Sequence, residues 1–281
     1  MICVNTCKDV RLARRKLTGA LAFVPTMGAL HDGHLSLVRR AREIADHVAV
    51  SIFVNPLQFG PGEDYERYPR DLDADLAMLR EAGGVDLVFS PTVDEMYPQL
   101  PPMVSVTTGD MGTVWEGEKR PGHFDGVATV VTKLFTLVAP DIAVFGQKDA
   151  QQLAIIRRMV ADLNLPVEIE AAPIQRDVDG LALSSRNAYL SPQERERALV
   201  LPALIEVVEQ AGPSLGGVRR AVEDHVRRSA DQVDWDYAAA LDPLTMREAG
   251  RDDRGEILVM IAARVGSTRL LDNTVVRIDR A

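Results

Sequence analysis

Cysteine is scarce. Cys3 and Cys7 are the only two in 281 residues, and no further Cys or His cluster accompanies them. That excludes a disulfide framework and a cysteine-based zinc site, and leaves two reduced thiols. Long apolar runs are missing as well. Lys8, Arg11, Arg14, Arg15 and Lys16 are not followed by an apolar segment, so no secretory signal is expected. The longest run without Asp, Glu, Lys or Arg, His47 to Gly62, is interrupted by Pro56 and too short to cross a bilayer. An excess of positive charge is absent too: 41 Asp+Glu against 32 Lys+Arg give a formal net charge of −9 and a pI near 5.1. Nucleic acid is therefore not an expected partner, because its phosphates call for a basic face. A small anionic substrate stays compatible, since a few local cations make a positive pocket on an acidic protein. Repeats and low-complexity segments are also lacking. The expectation is a soluble cytoplasmic protein without a membrane partner.

What is present is the composition of a packed globular protein, 46% apolar and 26% charged. The length prior of about 150 residues per domain suggests two domains. Short apolar runs at Ala20 to Val24, Val48 to Val54, Val85 to Phe89, Ile142 to Phe145 and Val167 to Ala171 read as strands. Between them, apolar residues fall at helical spacing from Leu35 to Ala45, Leu72 to Leu79, Val127 to Val138 and Leu153 to Leu163. This alternation predicts an α/β fold, a Rossmann-like parallel sheet with flanking helices whose strand ends gather the functional loops along one edge. After about Arg176 the pattern changes. Ser191-Pro192 opens a predicted helix through Gln210, a glycine-rich break spans Gly212 to Gly217, another helix follows, and Glu256 to Ile278 alternates like an antiparallel sheet. The expected division is a domain over 1–175 that holds the ligands and a smaller α+β lid domain over 176–281.

The sharpest motif, Pro25 to His34, follows the first strand of that series and opens the first long helix. His31 and His34, three apart with Gly33 between, place two imidazoles at a helix start, where outward N–H groups and the macrodipole favour anions. Gly28 and Gly33 remove side chains where a nucleotide approaches. No third Cys, His or carboxylate stands at metal-ligand spacing, so a metal role remains undefined.

Other loops carry further donors. Asn55 and Gln58 lie at a strand's carboxyl end and suit hydroxyl and carboxylate groups, although an Asn-Pro turn with a solvated Gln fits equally. In Gly146-Gln147-Lys148-Asp149-Ala150-Gln151-Gln152, Lys148 opposes the dipole of the helix it precedes, a conflict that a bound anion resolves, while Asp149 suits the helix cap. Gln152 lies one turn in. Leu183-Ser184-Ser185-Arg186-Asn187 offers two hydroxyls and a guanidinium fork suited to pyrophosphate, or a polar hairpin turn. Arg120 to Phe124 supplies a further cation or a simple loop. Asp71, Asp73 and Asp75 are placed as a helix dipole prefers acids.

Taken in order, PTMGALHxGH, NPxQFG, GxKDxQQL and DGLAxSSRN, with Thr268 to Asn273 near the end, make the chain similar to the pantothenate synthetase (pantoate-β-alanine ligase) family. The first block alone marks a nucleotidylyltransferase-like superfamily that includes class I aminoacyl-tRNA synthetases. The resemblance implies ATP, pantoate and β-alanine as substrates, Mg²⁺ as cofactor and a homodimer. It assigns ATP to Met27, Gly28, Ala29, Leu30, His31, Asp32, Gly33 and His34, with both imidazoles on the phosphates. Gly146, Gln147, Lys148 and Asp149, then Gln175, then Leu183, Ser184, Ser185 and Arg186, complete the nucleotide set. Gln58 and Gln152 are implied for pantoate, with Gln58 also near β-alanine. His34, His31, Lys148 and Arg186 are the implied catalytic residues, and Asn55 joins the substrate-binding set. Three positions depart from the family's habit: Gln147 replaces a Glu, Ala150 an aromatic residue and Gln175 a small aliphatic one. Two other classes share parts of this pattern, a nucleotidylyltransferase acting on a phosphate and a non-catalytic nucleotide-binding module.

Overall fold

The computed structural model describes residues 1–279 and divides into two compact units. The first comprises Met1–Gln147 and Gln151–Ala172, and the second comprises Lys148–Ala150 and the chain from Pro173 onward. Lys148–Ala150, which the sequence pattern places within the first segment, therefore groups with the second unit.

The first unit contains β1 (Ile2–Val4), α1 (Cys7–Arg14), β2 (Leu21–Thr26), α2 (Asp32–Ile44), β3 (His47–Ile52), α3 (Leu72–Ala82), β4 (Leu87–Phe89), the short α4 (Val93–Met96) and α5 (Glu116–Lys119), α6 (His123–Val138), β5 (Ile142–Gly146), α7 (Ala150–Asp162) and β6 (Glu168–Ala172). Its six strands are all parallel, in the order β1-β4-β3-β2-β5-β6. Alternate residues of β2 serve opposite faces. Leu21 and Phe23 pack with Val10 of α1 and Val127, Val131 and Leu134 of α6, while Ala22 and Val24 pack with Val38 and Ala41 of α2 and Leu76 and Leu79 of α3. Burial on both faces is why these strands read as continuous apolar runs rather than alternating ones. Phe23 is fully buried, and truncation to Ala there costs about 3–5 kcal/mol. Because β2 has β3 on one side and β5 on the other, the winding reverses at β2, and the loops leaving the carboxyl ends of β2 and β5 open where such sheets bind ligands.

The second unit holds a 3-10 turn over Ser185–Tyr189, then α8 (Pro192–Ala198), α9 (Val200–Glu209), α10 (Leu215–Arg228), β7 (Asp234–Leu241), β8 (Gly255–Val265) and β9 (Thr268–Ile278). The strands form an antiparallel sheet, β7-β8-β9. Leu201, Leu204 and Val208 of α9 and Val218 and Val222 of α10 share a core with Ile257, Val259 and Ile261 of β8. The expected α/β fold with a smaller α+β part is what forms.

Details differ from the sequence pattern. The helix expected from Ser191 through Gln210 is two helices, parted at Leu199. Pro202 has no N–H to offer the Ala198 carbonyl, so the ladder breaks one turn before it. Gly216 and Gly217 lie inside α10, which Ser214 caps, so only the start of the glycine-rich break is a break. β1, α1 and β7 lie outside the strands and helices expected from the sequence. No helix among the described residues is long and apolar enough to cross a membrane.

Candidate active site

The turn after β2 is held by groups from three elements. Thr26 Oγ1 donates to Ser51 O at 2.6 Å and accepts from Gly28 N at 3.3 Å. Gly28 and Ala29 both have positive φ, 85° and 51°. A Cβ on Gly28 would lie 2.7 Å from Asp75 Oδ2, so glycine is required there on two grounds. Asp75, buried at the start of α3, accepts from Ala29 N at 3.1 Å and Leu30 N at 2.8 Å. Burial pushes its carboxyl above the usual aspartate range, the two amides only partly opposing this. Beyond the placement that a helix dipole prefers for an acid, Asp75 is the latch of this turn.

Where the turn becomes α2, the two imidazoles close a reciprocal cap. His31 is the N-cap, its Nδ1 accepting from Gly33 N at 3.1 Å, and His31 N donates to His34 Nδ1 at 3.3 Å. The rings lie 4.1 Å apart, centroid to centroid. This is the capping-box pattern with imidazoles in place of a hydroxyl and a carboxylate. It corrects the expectation of outward N–H groups. The amides of Ala29 and Leu30 are taken by Asp75 and those of His31 and Gly33 by the two rings, so these four are not among the outward donors. An Nδ1 that accepts a hydrogen bond carries no proton, which places the proton of each neutral ring on Nε2.

At the end of β3, Pro56–Gln58 forms a 3-10 turn that Asn55 caps. Asn55 Oδ1 accepts from Tyr97 Oη at 2.8 Å and Leu57 N at 3.3 Å; its Nδ2 donates to Gln58 Oε1 and Gly126 O, both at 3.1 Å. Burial holds the Tyr97 hydroxyl well above the usual tyrosine range, so it stays a donor. Gln58 Nε2 reaches Met27 Sδ at 3.0 Å, which joins this loop to the turn after β2. The Gln58 carbonyl accepts from His123 Nδ1 at 2.7 Å and Arg120 Nη2 at 3.3 Å, and Arg120 grips Glu63 with Nε at 3.0 Å and Nη2 at 2.5 Å. Arg120 and His123 are thus engaged in holding Gln58. Asn55, expected to contact substrate, has its whole amide engaged in the same task.

Gly146 ends β5, and Gln147 N donates to Ala172 O at 2.9 Å. In α7 the paired glutamines diverge. Gln151 is buried, with Nε2 on Met111 O and Val114 O at 2.8 and 2.9 Å and Oε1 accepting from Glu116 N at 3.1 Å. Gln152 is turned about 100° around the helix from it and is half-buried.

In the second unit, Lys148 Nζ stands 3.6 Å from Asp149 Oδ1, and its carbonyl accepts from Asn273 Nδ2 at 2.8 Å. Gln175 O accepts from Leu183 N at 2.8 Å, so the backbone of Gln175 braces the segment that leads to the hydroxyls. Ser184 caps the following turn, its Oγ accepting from Arg186 N at 3.2 Å, and Asn187 Nδ2 donates to Ala182 O at 3.0 Å. Among the described residues no three His, Cys, Asp or Glu side chains converge on a cation site.

A doubly wound parallel sheet with an imidazole-capped helix start at its switch point defines a nucleotide-binding α/β enzyme. The model of the pantoate-beta-alanine ligase family matches residues 2–275. The chain is 56% identical over 280 residues to a pantothenate synthetase of Acidothermus cellulolyticus, covering 98% of this chain and 92% of that one. It is 55% identical over 281 residues to one of Thermobifida fusca, covering 97% and 94%. The crystal structure of pantothenate synthetase from Thermus thermophilus is similar at a TM-score of 0.88 and 48% identity, covering 98% of this chain and 99% of that one. A pantoate-beta-alanine ligase from Francisella tularensis, solved with beta-gamma ATP and beta-alanine, is similar at 0.81 and 32%, covering 98% and 97%. The chain belongs to the pantoate-β-alanine ligase family, and it is a ligase.

Proposed function

We propose that this ligase condenses (R)-pantoate with β-alanine in two steps driven by ATP. A carboxylate and an amine do not form an amide at neutral pH until the acyl oxygen becomes a good leaving group. In the first step a pantoate carboxylate oxygen attacks the α-phosphorus of ATP, the bond to the β-phosphate oxygen breaks, and pyrophosphate leaves. In the second, the β-alanine amine attacks the acyl carbon of the pantoyl adenylate, AMP departs with the bridging oxygen, and the nitrogen loses a proton. Charge accumulates on the α-phosphoryl and leaving-group oxygens, so positioned donors and fixed positive charge are what this chemistry needs.

The observation that carries the reading is the double-imidazole cap, which leaves both neutral rings with Nε2–H donors at a helix start. His34 and His31 donate to the phosphates, within a turn formed by Met27, Gly28, Ala29, Leu30, Asp32 and Gly33. Lys148 neutralises the α-phosphoryl oxygens, and Ser184, Ser185 and Arg186 hold pyrophosphate. Gly146, Gln147, Asp149, Gln175 and Leu183 complete the nucleotide set. Gln58 and Gln152 bind pantoate, with Gln58 also serving β-alanine and Asn55 positioning Gln58. The Francisella ligase solved with a nucleotide and β-alanine supports the substrate classes. Mg²⁺ would accompany ATP and supply positive charge to its phosphates. A cytoplasmic homodimer completes the proposal.

Incubation with ATP, Mg²⁺ and pantoate, with and without β-alanine, tests it by product mass. Pantothenate and AMP are expected when β-alanine is present, and exchange of labelled pyrophosphate into ATP when it is not. An unaltered ATP pool under both conditions refutes the reading.

A further inference from the structure

The segment Thr268 to Asn273 has no part in the reaction as proposed, yet it holds a carboxylate only 1% exposed. Asp272 Oδ2 accepts from Arg176 Nη1 at 2.6 Å, and its Oδ1 accepts from Arg176 Nη2 at 3.0 Å and from Asn273 N at 2.8 Å. Buried Asn273 in turn donates Nδ2 to Lys148 O at 2.8 Å. On its other side, Arg176 Nη1 donates to Gly180 O at 3.1 Å and Arg176 bridges to Ala182, whose carbonyl takes Asn187 Nδ2. One ion pair, its carboxylate buried and its guanidinium partly exposed, therefore anchors both cation-bearing segments of the second unit, the one with Lys148 and the one with Ser184 to Arg186.

Stability is a weak reason for this pair, because desolvation of the buried carboxylate offsets much of its attraction to a guanidinium that stays partly in water. Fixed geometry is the better reason. A lysine ammonium rides on a flexible four-carbon stem, and the protein controls its position by fixing the main chain from which the stem departs.

We propose that Asn273, oriented by the Asp272–Arg176 pair, is a positioning residue that fixes Lys148 through its carbonyl for the adenylation step. This rests on the role given to Lys148 above. With the bond removed, the ammonium samples more positions, and a smaller share of them is productive.

The test is a double-mutant cycle read by pantoate-dependent pyrophosphate exchange, with thermal melting of every variant. The near-isosteric Asn273→Leu removes the donor and keeps the bulk; Asn273→Ala is the second probe. Both are expected to melt cooperatively and to lose about tenfold in kcat, with the pantoate KM changed by less than about twofold. Lys148→Ala is expected to lose about a hundredfold. Adding Asn273→Leu to Lys148→Ala should lower the rate no further, because the bond acts only through that side chain. A further tenfold fall in the double variant, or a parental rate in folded Asn273→Leu and Asn273→Ala, overturns the proposal. Failure of both to fold assigns the bond to stability and overturns it as well. Parental exchange by Lys148→Ala is a different failure, which removes the role of Lys148 and this inference with it.

Discussion

The two ring nitrogens of His34 have separable duties, and substitution can divide them. Its Nδ1 accepts the His31 N–H at 3.3 Å as half of the cap on α2. Its Nε2 is assigned to the phosphates. His34→Ala strips the acceptor from the cap, which costs about 1 kcal/mol, a fall of about 2–4 °C in melting temperature for a unit of this size. It also removes a donor to developing charge, worth about 3 kcal/mol in the barrier or roughly a hundredfold in rate. His34→Gln restores the acceptor, since glutamine at the third helical position is an ordinary capping-box residue, but not the imidazole donor. Melting followed by circular dichroism and pantoate-dependent pyrophosphate exchange read the two effects independently. The Ala variant should lose both; the Gln variant should melt with the parent and remain slow. Near-parental exchange in folded His34→Ala would remove this ring from the mechanism. A Gln variant that melts as low as the Ala variant would refute the cap argument.

Other perturbations follow from the same geometry. Gly28→Ala forces a left-handed backbone on a residue whose Cβ meets Asp75 Oδ2 at 2.7 Å, so a loss of at least about 1 kcal/mol is expected. Calorimetry should also find weaker ATP binding; unchanged binding would detach this turn from the nucleotide. Gln152→Ala should raise the pantoate KM more than the ATP KM, whereas Gln151→Ala strips partners from Met111 O, Val114 O and Glu116 N and should lower stability by about 2–3 kcal/mol; the reverse pattern would exchange their roles. Burial opposes ionisation of Glu63, but the hydrogen bonds and charge of Arg120, with His123 nearby, prevail and hold its carboxyl below the usual glutamate range. A carboxyl depressed in the folded state contributes stability that is complete above its unfolded pKa and is lost as pH falls through the folded value. The stability gap between the parent and Glu63→Gln should therefore shrink on acidification below the ordinary glutamate range, and a gap independent of pH would refute the pairing.

The sequence alone determined the layered α/β architecture, because strands buried on both faces and helices buried on one leave periodicities within a few residues of each other. It also determined the glycine-bracketed imidazole pair at the start of α2 and the order of donor loops, since turn and cap chemistry is local. Tertiary structure decided what those residues do. The latch of Asp75 on Ala29 spans 46 positions and the bond from Asn273 to Lys148 spans 125, separations that no local pattern records. The same holds for which of Gln151 and Gln152 is bonded into the fold: side by side in the chain, they differ only through Met111, Val114 and Glu116, which chain folding brings to one and not to the other. The partners of the amides in the turn after β2 were likewise decided only in three dimensions, where Asp75 and the two rings take those of Ala29, Leu30, His31 and Gly33. Propensity and period act between neighbours, whereas hydrogen-bond satisfaction is settled among groups that meet only after the sheet has formed.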